Sequence, residues 1–146
     1  MKYIIILFSL FFTTKIQAQL QSGIGIVYDT RGNAIAQLSA GYEIGILQIN
    51  AEIRPSLTRK SLAHNYIGGG LSFNLLAPTQ EIHYLFAGAG YYYDDRSHDA
   101  KTLNSSHVGY SLRYVWMMNY QGAIYFQPMY INNSIQITAG MLLKFN

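Results

Sequence analysis

Serine, histidine and glutamate side chains occur where they could build a nucleophilic site, in which a basic imidazole activates a serine hydroxyl. The residues of these types that we considered are His64, His107, Ser72, Ser111, Glu52 and Glu81. In an extended strand, residues two apart share a face, so a serine that follows a histidine at that spacing would lie close to it. At that distance His64 is followed by Tyr66, and His107 by Gly109. This spacing does not support catalysis, and we predict that the protein is not an enzyme.

The longest polar stretch, from Asp94 to Ser106, contains residue types that ligate divalent cations. Oxygen and imidazole ligands would come from Asp94, Asp95, His98 and Asp99. The stretch holds no apolar residue except Ala100 and Leu103, so we interpret it as a solvated loop. We predict no metal site there.

Three consecutive glycines, Gly68-Gly69-Gly70, resemble part of a phosphate-binding loop. No Gly-Lys-Ser/Thr follows them and they open no helix, so they lack the parts that cradle phosphate. We expect a structural role for the glycines and no bound cofactor.

Strict alternation of apolar and polar residues is the main structural signal. From Ile135 to Phe145 one parity is apolar, and the other contains Gln136, Thr138, Gly140 and Lys144. Residues 47–54 alternate in the same way. A stretch of 11 residues, such as Ile135–Phe145, is long enough for a tilted membrane-spanning strand, which needs about 9–11 residues.

Turn residues divide residues 19–146 into eight such strands. Seven of them have a clear outward, apolar face. The facing of the fifth strand, predicted at 81–93, is ambiguous, and we place Ile82, Tyr84, Phe86 and Tyr92 outside and His83 inside. The outward aromatic residues then form two girdles. One contains Tyr28, Tyr92, Tyr110 and Tyr130, and the other contains Tyr42, Tyr84, Trp116 and Phe145.

The inward parity carries charged residues that cannot remain unpaired in a narrow barrel. We predict a lumenal polar network of Gln48, Asn50, Glu52, Arg54, Arg113 and Gln136. Such a network fills the lumen rather than leaving a conducting pore.

The first residues match a secretory signal. Lys2 precedes an apolar run, and Ala18 provides the small residue before cleavage, so we predict a signal peptide at 1–18 and a single barrel domain at 19–146. Removing Lys2 and Lys15 from the 10 basic residues leaves eight against seven acidic ones, which gives no case for nucleic-acid binding. Charged residues make up only 12% of the chain and aromatic ones 14%, a balance that suits a surface facing lipid.

The sequence resembles the small eight-stranded outer-membrane β-barrel proteins of Gram-negative bacteria, the OmpA- and OmpX-like group. The resemblance rests on Gln17-Ala18-Gln19, the alternating strands and Lys144-Phe145, and it covers residues 19–146. It implies an all-β, antiparallel up-and-down transmembrane barrel in the cell outer membrane. It also implies contact with outer-membrane lipid and, through the C-terminal strand, with the outer-membrane assembly machinery.

Three functional interpretations follow. The first is a structural or surface-interaction barrel that meets a surface protein or glycan through extracellular loops. The residues that we expect to make this contact are Asp94, Asp95, Arg96, His98, Asp99 and Lys101, with Arg31, Arg59 and Lys60 at the same rim. The second is a lipid-modifying enzyme like the lipid A deacylases that share this scaffold. The third is a soluble periplasmic lipocalin-like barrel, which would place the aromatic residues inside.

Overall fold

A computed structural model of the protein describes residues 18–30, 34–57, 65–76, 82–95 and 105–145. These residues form eight strands. In chain order they are β1 (Ala18–Asp29), β2 (Ala34–Ile44), β3 (Leu47–Arg54), β4 (Asn65–Asn74), β5 (His83–Asp95), β6 (Ser105–Met117), β7 (Gly122–Ile131) and β8 (Ser134–Phe145). No helix among the described residues is long and apolar enough to cross a membrane.

Each strand pairs antiparallel with the next, and β8 pairs antiparallel with β1, which closes the sheet into a barrel. Closure gives both edge strands a hydrogen-bonding partner. The residue types explain the backbone conformation of two short turns. Gly45, between β2 and β3, has a φ of 60°, and Asn132 and Asn133, between β7 and β8, have φ values of 50° and 54°. Glycine and asparagine tolerate this left-handed conformation, which a two-residue hairpin of this kind requires.

The outer face of the barrel is apolar, as the alternation predicts. Large hydrophobic side chains are exposed on every strand. One from each, in chain order, is Ile24, Leu38, Ile49, Leu71, Tyr91, Tyr110, Phe126 and Met141. Outward aromatic residues also lie towards the two ends: Tyr110 pairs with Tyr130 at one end, and Tyr42 and Phe145 both pair with Leu20 at the other.

The interior contains two apolar clusters separated by charged residues. One cluster consists of Phe86, Val115, Ala123, Tyr125 and Leu142. The other consists of Tyr66, Tyr92, Met129 and Ile131. Inward glycines leave room for the largest of these side chains. A Cβ atom on Gly68, Gly90 or Gly109 would lie only 2.7–3.0 Å from the ring of Tyr92.

The predicted facing of the fifth strand is wrong, although Ile82, just before β5, is exposed as predicted. Phe86 and Tyr92 are buried inside the barrel, and Tyr84 packs partly buried against the Phe86 cluster. Tyr91 faces outward with 63% of its surface exposed, and His83 contacts the exposed side chain of Tyr114. Tyr84 and Tyr92 are therefore not girdle residues. The pairing register explains the difference. Gly68 of β4 faces inward and pairs with Tyr92, so Tyr92 and the residues of β5 that share its parity also face inward.

Candidate functional site in the barrel lumen

Two arginines share one carboxylate at the centre of the lumen. Arg54 donates to Glu52 Oε2 from Nε at 3.0 Å and from Nη2 at 2.6 Å. Arg113 Nη2 donates to the other oxygen, Oε1, at 2.7 Å. The three side chains are 0–4% exposed, so the attraction between them acts where water screens little.

Glutamines extend this charged centre to neighbouring strands. Arg54 Nη1 donates to Gln136 Oε1 at 2.7 Å, and Arg113 Nε donates to Gln127 Oε1 at 2.9 Å. Gln48 Oε1 accepts from Arg113 Nη1 at 3.3 Å and from the Ser72 hydroxyl at 3.2 Å. The contacts tie β3, β4, β6, β7 and β8 together across the lumen.

A second charged pair lies towards the end of the barrel where β1 begins. Gln48 Nε2 donates to Gln21 Oε1 at 2.8 Å, and Gln21 in turn donates to the carboxylate of Glu43. Lys144 Nζ donates to Glu43 Oε2 at 3.2 Å. Hydrogen bonds therefore connect the central arginines to this outer pair without interruption.

An aromatic ring faces each of the three cations that the described residues place in the lumen. The distance from the guanidinium carbon to the ring centroid is 5.8 Å for Arg54 over Tyr92 and 5.4 Å for Arg113 over Tyr125. Lys144 Nζ lies 4.3 Å from the ring centroid of Tyr84. These cation–π contacts add favourable electrostatics where the cations have lost water.

Of the six residues predicted for the lumenal network, Gln48, Glu52, Arg54, Arg113 and Gln136 are brought together. Asn50 is not part of this cluster, because its Oδ1 accepts instead from the backbone nitrogen of Gly70 at 3.0 Å. Among the described residues, the sequence analysis missed five hydrogen-bonding members of the network: Gln21, Glu43, Ser72, Gln127 and Lys144. All five lie on the inward parity of their strands, and this parity was the signal that could have identified them.

The predicted interaction loop is shorter than the sequence suggested. Strand β5 extends through Asp95 and β6 begins at Ser105, so Asp94 and Asp95 belong to the barrel wall. Asp94 is completely buried rather than solvated. Arg96, His98, Asp99 and Lys101, like Arg31, Arg59 and Lys60, lie outside the described residues.

Those residues considered for catalysis that the structure describes do not form a triad. Glu52 is engaged by two arginines and Ser72 by Gln48. Ser105, which the sequence analysis did not consider for catalysis, has its Oγ 2.8 Å from His107 Nε2. Asp94 approaches that same nitrogen, at 4.0 Å. A triad carboxylate instead holds the opposite ring nitrogen of the histidine. His64 and Glu81 lie outside the described residues.

No protein-family model and no curated protein matches the sequence. Solved structures do match the fold. The N-terminal barrel domain of Pseudomonas aeruginosa OprF aligns with a TM-score of 0.65 at 8% identity, covering 90% of this chain and 100% of that one. Yersinia pestis outer membrane protein Ail gives a TM-score of 0.59 at 9% identity, covering 88% and 100%. Neisserial surface protein A gives 0.56 at 17% identity, covering 88% and 96%.

The chain has the fold of the small outer-membrane β-barrels. It is an all-β, eight-stranded, antiparallel closed barrel of the transmembrane type. This fold has its apolar surface outside and its charged residues inside, which is the reverse of a lipocalin-like barrel. The lipocalin-like interpretation is therefore wrong for this chain.

Proposed function

We propose that this protein resides in the outer membrane and acts as a structural or surface-interaction barrel through its extracellular loops, with a filled, non-conducting lumen. The observation that carries the proposal is the combination of an apolar outer wall with a lumen crossed by charged and aromatic side chains. The wall is committed to lipid and the lumen to its own network, which leaves the loops to present varied chemistry. The fold by itself specifies no activity.

The proposed orientation follows from the connections between strands. At one end of the barrel, connections of two, eight and four residues join β2 to β3, β4 to β5 and β6 to β7. At the other end, connections of four, ten, nine and two residues join β1 to β2, β3 to β4, β5 to β6 and β7 to β8, so the two longest connections share that end. Outer-membrane barrels have short periplasmic turns and longer extracellular loops. We therefore assign the end containing Asp94 and Ser134 to the cell surface. We also propose that residues 1–18 are cleaved as a signal peptide. The outer-membrane assembly machinery would then bind the barrel through β8.

Membrane placement is tested on β1. Ile24 and Leu20 both face outward, Ile24 near the middle of the strand and Leu20 near its end. Ile24→Arg is expected to cost about 2–4 kcal/mol of folding free energy in lipid vesicles and Leu20→Arg about 0–1 kcal/mol, because the penalty falls towards the interface. Urea titrations of both variants measure the difference. Equal costs for the two substitutions would exclude a lipid-embedded wall.

The interaction role is tested by exchanging residues 96–104 for Asn-Gly, which shortens the connection to a tight hairpin and removes no residue of β5 or β6. The barrel is expected to fold and insert as before, since the exchange leaves its paired strands intact. Cross-linking and pull-down from intact cells should lose the partner. A control that keeps the loop length but replaces Arg96, His98, Asp99 and Lys101 by serine separates charge from length. Unchanged partners in both variants would refute the loop assignment.

A further inference from the structure

A groove on the outer wall crosses β6, β7 and β8 in the half of the barrel that we assign to the periplasmic side. Its volume is about 550 Å³, within the range of about 300–1,000 Å³ that small-molecule sites occupy. Ala139 explains the depression, because this small side chain lies between Ile137 and Met141 on β8 and pairs with Phe126 on β7. The other outward residues that line the groove are Tyr114, Trp116 and Ile124. The groove is continuous with the lipid-facing wall, so its occupant must be largely apolar.

A histidine–tyrosine pair lies at one edge of this groove. The hydroxyl of Tyr114 is 2.7 Å from His83 Nδ1, and the two rings stack with their centroids 5.9 Å apart. His83 is also the cross-strand neighbour of Trp116. When the phenol donates to Nδ1, the other ring nitrogen, Nε2, carries the hydrogen. The pair then presents an N–H donor beside the apolar groove.

His83 is the one basic side chain that the described residues place on the outer wall. Arg54, Arg113 and Lys144 are buried in the lumen, and His107 has the inward parity of β6. Ionisable side chains on a membrane-facing surface are rare and usually functional. As the first residue of β5, His83 lies at the end of the barrel where that surface meets the polar headgroups.

A second groove on the outer wall provides a comparison within the same molecule. It crosses β4, β5 and β6, has a volume of about 490 Å³, and is lined in part by Leu71, Phe73 and Tyr91. No histidine, lysine or arginine is among its lining residues. The second groove therefore offers an apolar surface without a basic partner for a headgroup.

We propose that the first groove binds a membrane phospholipid, with an acyl chain along Phe126 and Ala139 and the phosphate accepting a hydrogen bond from His83 Nε2. This inference rests on the membrane placement and orientation proposed above. A phospholipid satisfies both parts of the site, because its chain fills the groove and its phosphate is a charged acceptor, which binds a donor more strongly than a neutral one. Water would satisfy only the imidazole, and an uncharged lipid would fill only the groove.

The fluorescence of Trp116 tests the proposal, since this residue is the only tryptophan in the chain and lines the groove. Purified protein in dodecyl maltoside micelles is titrated with phosphatidylglycerol brominated in its acyl chains, because bromine quenches tryptophan on contact. Diacylglycerol with the same brominated chains lacks the phosphate and is the comparison lipid. The phospholipid is expected to reach half-maximal quenching at about a fivefold lower mole fraction, as expected for one partly exposed hydrogen bond to a charged group.

Three variants connect this difference to the site. His83→Phe keeps an aromatic ring against Tyr114 but removes both ring nitrogens, and it should abolish the difference between the two lipids. Tyr114→Phe keeps the wall of the groove but removes the hydroxyl that orients the imidazole, and it should reduce the difference. The matched control, Trp116→Phe with Phe73→Trp, moves the single tryptophan to the second groove, where both lipids should quench equally.

Native mass spectrometry of protein extracted from membranes in the same detergent is a second measurement. The wild type is expected to retain one phospholipid and His83→Phe none. Equal quenching of Trp116 by the two brominated lipids, or an unchanged preference in His83→Phe, would overturn the phospholipid site and leave the membrane placement intact. Absence of quenching by either lipid would contradict the membrane placement as well as the site.

Discussion

At the scale of single residues, the lumen depends on Glu52. Its carboxylate is the common acceptor for Arg54 and Arg113, and the side chain is fully buried. Inward parity and charge predicted that these three residues belong together. The sequence could not predict the pairing of Glu43 with Lys144, because these residues are 101 positions apart and only the closure of β1 on β8 brings them together. A side-chain pairing of this kind requires the register of the strands as well as their facing.

Replacing Glu52 by glutamine keeps the size of the side chain and removes the shared negative charge. The expected cost is about 3–5 kcal/mol of folding free energy, because two buried guanidinium groups lose their counter-charge. Urea unfolding in vesicles measures it. Asn50→Ala is the matched control, two residues away on the same face of β3, and should cost only about 1 kcal/mol for its one hydrogen bond to Gly70. A Glu52→Gln variant no less stable than the control would show that the arginines do not depend on this carboxylate.

At the scale of elements, β5 shows where alternation alone is insufficient. Both parities of the strand carry tyrosine, so hydrophobicity does not identify the outer face. The deciding feature is on its neighbours, where Gly68 of β4 and Gly109 of β6 face inward and make space for the ring of Tyr92. Most of the other strands have an apolar parity and a polar or small one, and for them the sequence predicted the facing correctly. Strand β7 also has Tyr125, Met129 and Ile131 on its inward parity, but its outward residues Ile124, Phe126 and Tyr130 are exposed as predicted.

The inward glycine Gly68 lies in close contact with the neighbouring strand, whereas Gly41 on β2 has more space around it. Gly68→Ala places a methyl group 2.2 Å from the carbonyl oxygen of Tyr91 and 2.7 Å from the Tyr92 ring. We expect a loss of about 1–3 kcal/mol from this overpacking. Gly41→Ala on β2, whose nearest contact would be 3.3 Å away, should remain within about 1 kcal/mol of the wild type. The two unfolding midpoints, measured in the same vesicles, check this. Equal stability of the two variants would contradict this expectation, because it would show that β4 and β5 can move apart without a loss of folding free energy.

At the scale of the whole molecule, closure and filling of the barrel follow from the same arrangement. Eight strands enclose an interior just wide enough for side chains, and here Arg54 reaches from β3 to Gln136 on β8 while Arg113 reaches from β6 to Glu52 on β3. The two apolar clusters fill the remaining space in the lumen. The polar composition of the lumen thus stabilises the barrel and does not by itself indicate a channel.

Purified protein in planar bilayers is accordingly expected to give no large, stable conductance steps. A wide trimeric porin inserted under the same conditions serves as the positive control. Arg54→Ala with Glu52→Ala removes both of these crossings while keeping the net charge of the lumen unchanged, and leaves Arg113 with Gln48 and Gln127. This variant should show at most small, flickering conductance steps, because the two apolar clusters still fill the lumen. Porin-sized steps from the wild type would mean that the network opens in the membrane, and the lumen would then be a pathway rather than a core.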